Sequence, residues 1–181
     1  MIIKDDVISK QYQRHIEGIL VHPEFPWTFL PEVTTYVSEG KNTQPAFSHI
    51  AFDKNKTSQY YDIFYSLLLS ICGSLNYEIQ DLYRIRIGCL LETTSNDHNL
   101  LHVDYDFPHD TMLYYVNSSD GDTVIHTPEG IHSVSPKSGR VLIFDGSNYH
   151  ASSNPTNHTH RFVITYNLKG QFYEDSEDIS N

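Results

Sequence analysis

From Tyr83 onward the chain is written in period two. Tyr83, Ile85, Ile87 and Cys89 alternate with Arg84, Arg86 and Gly88, as in a strand with one apolar and one polar face. Short apolar segments then recur at residues 100–104, 112–116, 123–126, 131–134, 141–144 and 161–168. Their separators include Pro128-Glu129-Gly130, Pro136-Lys137-Ser138-Gly139 and Asp145-Gly146-Ser147. Many short strands divided by Gly/Pro turns imply a β-sandwich or jelly roll. Thirteen Tyr and nine Phe fit that reading, because aromatic side chains pack well on pleated surfaces.

Upstream of this region the patterns differ. Residues 1–18 are weakly amphipathic and read as a strand or a short helix. Pro23, Pro26 and Pro31 preclude a regular helix between them, and Trp27 reads as a packing residue of an extended segment. Residues 40–58 are polar and turn-rich, with Phe47, Ile50 and Phe52 in a short strand. Tyr61, Phe64, Tyr65, Leu68 and Ile71 then fall at helical spacing, with Ile63, Leu67 and Cys72 beside them. Thr57 or Ser58 supplies the N-cap, and Gly73 marks the exit. This helix is expected to pack on the outside of a sheet. Residues 1–181 thus read as one domain: 1–82 flank the core, 83–168 form it, and 169–181 make an acidic, disordered tail.

Charge narrows the partners. Twelve basic residues face 23 acidic ones, a formal charge of -11, which argues against a groove tracking a nucleic-acid polymer. A nucleotide or a basic protein stays possible as substrate. Cys72 and Cys89 offer neither a disulfide framework nor zinc-ribbon spacing and read as buried thiols in a reducing cytoplasm. No run has the roughly 18 apolar residues of a membrane span, and the first residues lack a signal-peptide core.

The chemistry gathers at His102-Val103-Asp104. Two residues apart on an extended strand, the imidazole and the carboxylate share a face. His150, in Ser147-Asn148-Tyr149-His150, is the candidate for a second imidazole. Two His and one carboxylate with open positions left on the ion is the non-haem Fe(II) oxygenase pattern. A 2-oxo acid and O2 fill those positions, and the far carboxylate of the acid needs a fixed cation. Arg161, opening a strand that runs to Tyr166, suits that task because its guanidinium is planar, bidentate and permanently charged. Asp106 competes with Asp104, and His158 and His160 compete with His150 but lie in a polar turn. His126 and His132 read as structural, and Arg140 as exposed. Arg84 and Arg86 share one face just before the motif, where either meets a carboxylate, the substrate or solvent. Tyr114 and Tyr115 point to opposite faces, so one of them lines the site.

Five ordered pieces carry a family resemblance. They are His102-Val103-Asp104; Leu113-Tyr114-Tyr115-Val116-Asn117; Gly121-Asp122-Thr123-Val124-Ile125 with Thr127-Pro128-Glu129-Gly130; Pro136-Lys137-Ser138-Gly139-Arg140-Val141-Leu142-Ile143-Phe144; and Tyr149-His150 with Arg161-Phe162-Val163-Ile164-Thr165-Tyr166. Over residues 83–168 the chain resembles the Fe(II)/2-oxoglutarate-dependent oxygenases of the prolyl 4-hydroxylase-like branch. Pro23-Glu24-Phe25-Pro26-Trp27 and the small size are similar to bacteriophage-encoded oxygenases. The resemblance implies an all-β core with flanking helices, folded as a double-stranded β-helix (a cupin-like jelly roll) with the iron between its sheets. It implies Fe(II) on His102, Asp104 and His150, and the distal carboxylate of 2-oxoglutarate on Arg161 and Tyr115, with Thr165 in a similar role. It also implies an O2-dependent dioxygenase that hydroxylates a C–H bond while 2-oxoglutarate becomes succinate, with a prolyl residue of a peptide or protein as substrate. The region before residue 83 has no counterpart, which leaves a small molecule or a nucleotide open as substrate. Two further readings keep the metal: a non-catalytic cupin-like binding module, and a zinc hydrolase, since zinc also accepts His and Asp.

Overall fold

Three extended residues, β1 (Ile2–Lys4), precede a helix whose start is fixed by Ser9. The Ser9 Oγ accepts the Tyr12 N–H at 3.2 Å, an N-cap, and Gln13, Ile16 and Leu20 bury one stripe of α1 (Lys10–Leu20). Both alternatives read for residues 1–18 are therefore present in succession. This computed structural model describes residues 1–32, 44–54, 56–95 and 97–173. The proline-rich stretch is not helical, but it turns rather than runs extended: the Phe25 N–H closes on the His22 carbonyl at 3.0 Å, and only its end, β2 (Thr28–Leu30), is a strand. Trp27 packs as expected: it lies flat on Phe162 with ring centroids 5.7 Å apart, and its Nε1–H reaches the Leu20 carbonyl at 3.2 Å. The short strand expected around Phe47 is β3 (Ala46–Asp53), and β4 (Lys56–Thr57) turns back on it.

The second helix, α2 (Tyr61–Leu75), buries Phe64, Leu67, Leu68, Ile71 and Cys72, the apolar face its spacing predicts. Its ends differ from the reading. Tyr60 is the N-cap and has no side-chain cap bond. Ser58 acts one step earlier, its Oγ accepting the Tyr60 N–H at 3.1 Å. Gly73 lies inside the helix, and the exit is Asn76 at φ 52°, a left-handed position that Asn tolerates.

The strands that follow are β5 (Tyr77–Leu91), β6 (Asp110–Tyr115), β7 (Thr123–Thr127), β8 (Gly130–Val134), β9 (Arg140–Asp145), β10 (Tyr149–Ser152) and β11 (His160–Phe172). The core strands therefore begin at Tyr77 rather than Tyr83 and run to Phe172 rather than residue 168, because residues 169–172 pair with β5 instead of starting a tail, and β10 is a strand the pattern did not show. The large sheet runs β1-β9-β6-β11-β5-β3-β2 with β4 on β3, and a small sheet runs β10-β7-β8. All pairings are antiparallel.

One face of the large sheet carries Ile85, Ile87, Met112, Tyr114, Ile164 and Tyr166 against both helices. The other face sends Leu113, Tyr115, Leu142 and Phe144 toward Ile125 and Val134 of the small sheet. This is a jelly-roll arrangement, helices outside and a second, smaller core between the sheets. Tyr114 and Tyr115 do part to opposite faces. Cys72 and Cys89 are buried free thiols. Among the described residues no helix is long and apolar enough to cross a membrane. The acidic run from residue 174 onward lies outside the described residues.

One expectation for the core fails. Residues 100–104 do not form a strand: His102 makes a single antiparallel bridge to His150. Its N–H and C=O pair with the His150 backbone at 3.0 and 2.9 Å, and the chain then bends. Asp104 is drawn instead to Arg84 and Asn167 by its side chain.

Candidate active site

The bridge sets two imidazoles side by side. Their ring centroids are 4.6 Å apart. The His102 Nδ1 meets the Leu100 carbonyl at 3.1 Å, and the His150 Nδ1 meets the Asn148 carbonyl at 3.1 Å. A carbonyl only accepts, so each Nδ1 carries the hydrogen and each Nε2 keeps a free lone pair, the orientation a metal ligand needs. Both Nε2 atoms face Asp104, at 4.0 Å from Oδ1 for His102 and 3.7 Å from Oδ2 for His150. One ligand atom from each of the three lies within 4.8 Å of the others. An ion with bonds of about 2 Å fits among donors so placed.

Asp104 is held on both oxygens. Arg84 donates to Oδ1 at 2.5 Å and Asn167 donates to Oδ2 at 2.8 Å, while the Arg84 Nε also donates to the Asn167 Oδ1 at 3.0 Å. Burial opposes the ionised carboxylate, but the Arg84 guanidinium and the Asn167 hydrogen bond overcome it and hold the group well below the usual carboxylate range. Asn167 was not singled out from the sequence. A signal existed, because it stands two residues past Thr165 on the inward face of β11.

Burial first, and then the adjacent His102, push His150 down to about 4, while Asp104 pulls the other way. At neutral pH the ring is therefore uncharged, the form that binds metal. The unfolded chain protonates this ring below about 6.5, the folded chain only below about 4. Its contribution to stability is thus full above pH 6.5 and is lost as pH falls toward 4, about 3 kcal/mol in all. The urea midpoint of the metal-free protein should drop across that window, and His150→Gln should flatten the drop. Equal slopes for the two proteins would mean that the folded ring carries a proton.

The same cavity receives Arg161. With its mouth included the cavity holds about 650 Å³, and its walls include Phe47, Arg84, Arg86, Leu113, Thr123 and Thr165 besides the three ligand residues. Arg161 is 1% exposed. Its Nη2 donates to the Thr123 Oγ1 at 2.7 Å, its Nε has no partner, and no carboxylate pairs with it among the described residues. Burial lowers its pKa, because the charged form is disfavoured away from water.

Tyr115 lies beneath Arg161, the guanidinium 5.7 Å from its ring centroid, and its hydroxyl donates to the Thr123 Oγ1 at 2.7 Å. Thr123, which nothing in the sequence singled out, thus gathers both groups at the cavity wall. Thr165 lines the cavity directly.

The competing residues stand elsewhere. Asp106 is exposed. The His158 Nδ1 pairs with the Asp120 Oδ1 at 2.8 Å on the surface, and the His160 ring packs at a tilt against Phe162, with centroids 4.4 Å apart. The His132 Nε2 bonds the Thr127 Oγ1 at 3.1 Å. Arg140, read as exposed, is instead in a half-buried ion pair with Asp5 at 2.7 Å, because β1 docks along β9. His158→Ala and His160→Ala should therefore bind Fe(II) like the wild type. A large loss of iron from either would place the second imidazole there.

No protein-family model matches the chain, and no curated protein matches it in sequence. Solved structures do. A Pseudomonas putida prolyl-4-hydroxylase aligns with 93% of this chain and 91% of its own, at 16% identity and TM-score 0.63. A prolyl hydroxylase from Trichoplax adhaerens, in complex with a peptide of the hypoxia inducible factor oxygen degradation domain, covers 93% and 82% at 16% identity and TM-score 0.67. A 2OG-Fe(II) oxygenase family oxidoreductase from Burkholderia pseudomallei covers 90% and 81% at 12% identity and TM-score 0.68. Identities this low speak for the fold alone: the chain folds as these prolyl hydroxylases and 2OG-Fe(II) oxygenases do.

Proposed function

We propose that this chain is an Fe(II)- and 2-oxoglutarate-dependent dioxygenase that hydroxylates a C–H bond, with a prolyl residue of a peptide or protein as the favoured substrate class. The observation that carries the reading is Arg161, a buried cation without a carboxylate partner among the described residues, opening into the cavity that also holds the His102, Asp104 and His150 cluster. A metal-binding module has no use for that cation, nor has a zinc hydrolase. The likeness to prolyl hydroxylases, one of them holding a peptide, supports the peptide.

When bound, Fe(II) and 2-oxoglutarate supply the oxidation: 2-oxoglutarate and O2 are consumed, succinate and CO2 leave, and a C–H bond becomes C–OH. The protein positions the parts. The Leu100 and Asn148 carbonyls aim the two Nε2 atoms, and Arg84 with Asn167 fixes the Asp104 carboxylate. Thr123 and Tyr115 orient Arg161 toward the distal carboxylate of the cosubstrate, with Thr165 beside it. Phe47, Leu113 and Val163 make the walls apolar, which strengthens each charge interaction inside. The free thiols Cys72 and Cys89 suit a reducing cytoplasm.

The test is succinate release from 2-oxoglutarate in the presence of prolyl peptides. Release that needs both Fe(II) and O2 is expected. Binding of both metal and 2-oxoglutarate without turnover on any substrate would favour the binding module, and O2-insensitive activity with zinc would favour the hydrolase.

A further inference from the structure

Strand β5 presents Arg84, Arg86 and Gly88 to the cavity. Arg84 is engaged by Asp104 and Asn167, and Arg86 is not. Its Nε donates to the Ser48 Oγ on β3 at 3.0 Å. Its two terminal nitrogens have no hydrogen-bond or carboxylate partner among the described residues. The residue lines the cavity, across the strand pair from Thr165. Burial, and then the charge on Arg84, work against the protonated form, so the cation stands there at a cost that a bound anion would remove.

A charge count says which anion is missing. Among the described residues lining the cavity, three guanidiniums face one carboxylate, an excess of two positive charges. A divalent ion adds two, and a bound 2-oxoglutarate dianion takes two away. The excess therefore survives loading of metal and cosubstrate. It is local, because the whole chain carries -11. Beside Arg86 the floor is Gly88, whose side-chain position meets Val163 only at ordinary van der Waals distance, and the adjoining walls are Phe47 and Leu90; the one carboxylate of the lining, Asp104, is already held by Arg84 and Asn167.

We propose that Arg86 binds a carboxylate of the primary substrate, so that the compound hydroxylated here is itself an anion. This deepens the dioxygenase reading and rests on it. A free organic or amino acid carries such a group, and so does an acidic residue beside the target residue of a peptide.

The experiment observes arginine side-chain ¹⁵N signals in protein loaded with Zn(II), a redox-inert stand-in, and 2-oxoglutarate. Acetate is the probe and acetamide its uncharged counterpart. Arg86→Lys and Arg86→Gln each assign the Arg86 signal by its disappearance, so one folded variant suffices. A saturable shift of that signal with acetate but not acetamide is expected, with at least a tenfold weaker acetate affinity in Arg86→Gln, read in both proteins from the broadening of the acetate ¹H line. No shift, or the same shift with acetamide, overturns the proposal. So does an Arg86 signal that already moves when 2-oxoglutarate is added, because the cosubstrate would then hold that arginine. The Arg161 signal reports the parent reading separately: if 2-oxoglutarate leaves it unmoved while acetate moves Arg86, the dioxygenase reading fails and Arg86 remains an anion site. Free L-aspartate and the capped residue N-acetyl-aspartate amide then separate the sources. Tighter binding of the first assigns a small acid, and tighter binding of the second an acidic peptide.

Discussion

Arg161→Met should keep its Fe(II) and lose 2-oxoglutarate. The cosubstrate carries two carboxylates, and the metal engages one. The other enters a pocket where Arg161 is 1% exposed and Thr123 is the hydroxyl that touches it. A hydrogen bond to a charged group contributes about 1.5–3 kcal/mol, and leaving a charge buried without its partner costs about 3–5 kcal/mol. Affinity should fall roughly ten- to several-thousandfold. The free protein should respond in the opposite sense. Exchanging a buried, unpaired cation for an apolar side chain of similar length is neutral or stabilising, by up to about 4 kcal/mol. Thermal melts with and without 2-oxoglutarate test both halves. In the wild type, ligand at a hundred times its dissociation constant adds about 2.7 kcal/mol. In Arg161→Met that increment should vanish while the ligand-free melting temperature holds or rises. An unchanged ligand-induced shift would move the carboxylate clamp to another residue, with Arg86 the first to examine.

Asp104→Ala should empty the metal site and also weaken the fold. Removing groups that merely orient ligands costs about 10- to 100-fold in metal affinity, so losing a ligand itself should cost at least about 100-fold. The carboxylate is also the ion-pair partner of Arg84 and one end of the Asn167 bridge. Breaking a buried pair costs about 3–5 kcal/mol. The Arg84 side chain is 18% exposed, so water recovers part of that loss and the lower end applies. For a chain of this size, about 3 kcal/mol is a drop of roughly 6–12 °C in melting temperature. Asp104→Asn should recover much of the stability, by retaining an acceptor oxygen and the packing, and little of the iron. Full iron occupancy in Asp104→Ala would remove this residue from the site.

Different physical causes decided what could be read in advance. The face of β5 was legible because strand alternation is strict: Ile85, Ile87 and Cys89 went to the helical side and Arg84, Arg86 and Gly88 to the cavity. The buried face of α2 was legible from its helical spacing. The four residues of β10 were not, because Tyr149 and His150 put no apolar alternation around Ala151; its pairing with β7 is settled by the neighbouring strand. His102 and Asp104 were paired for the wrong geometric reason. They converge through a single bridge and a bend, with Asp104 oriented by an arginine 20 residues upstream. Such partners are set by register across β5 and β11, which local sequence does not state. The Nδ1 bonds to Leu100 and Asn148 are backbone contacts and leave no trace in residue identity. Thr123 came to Arg161 from the opposite sheet.

The most direct measurement is a 2-oxoglutarate titration of the Fe(II)-loaded wild-type protein without oxygen, following the metal-to-ligand charge-transfer band that appears when a 2-oxo acid chelates Fe(II). The band should grow to saturation at one 2-oxoglutarate per iron. It should be missing in Asp104→Ala, which holds no iron, and should need far more ligand in Arg161→Met. Wild-type protein that takes up iron and shows no band at any 2-oxoglutarate concentration would contradict the account.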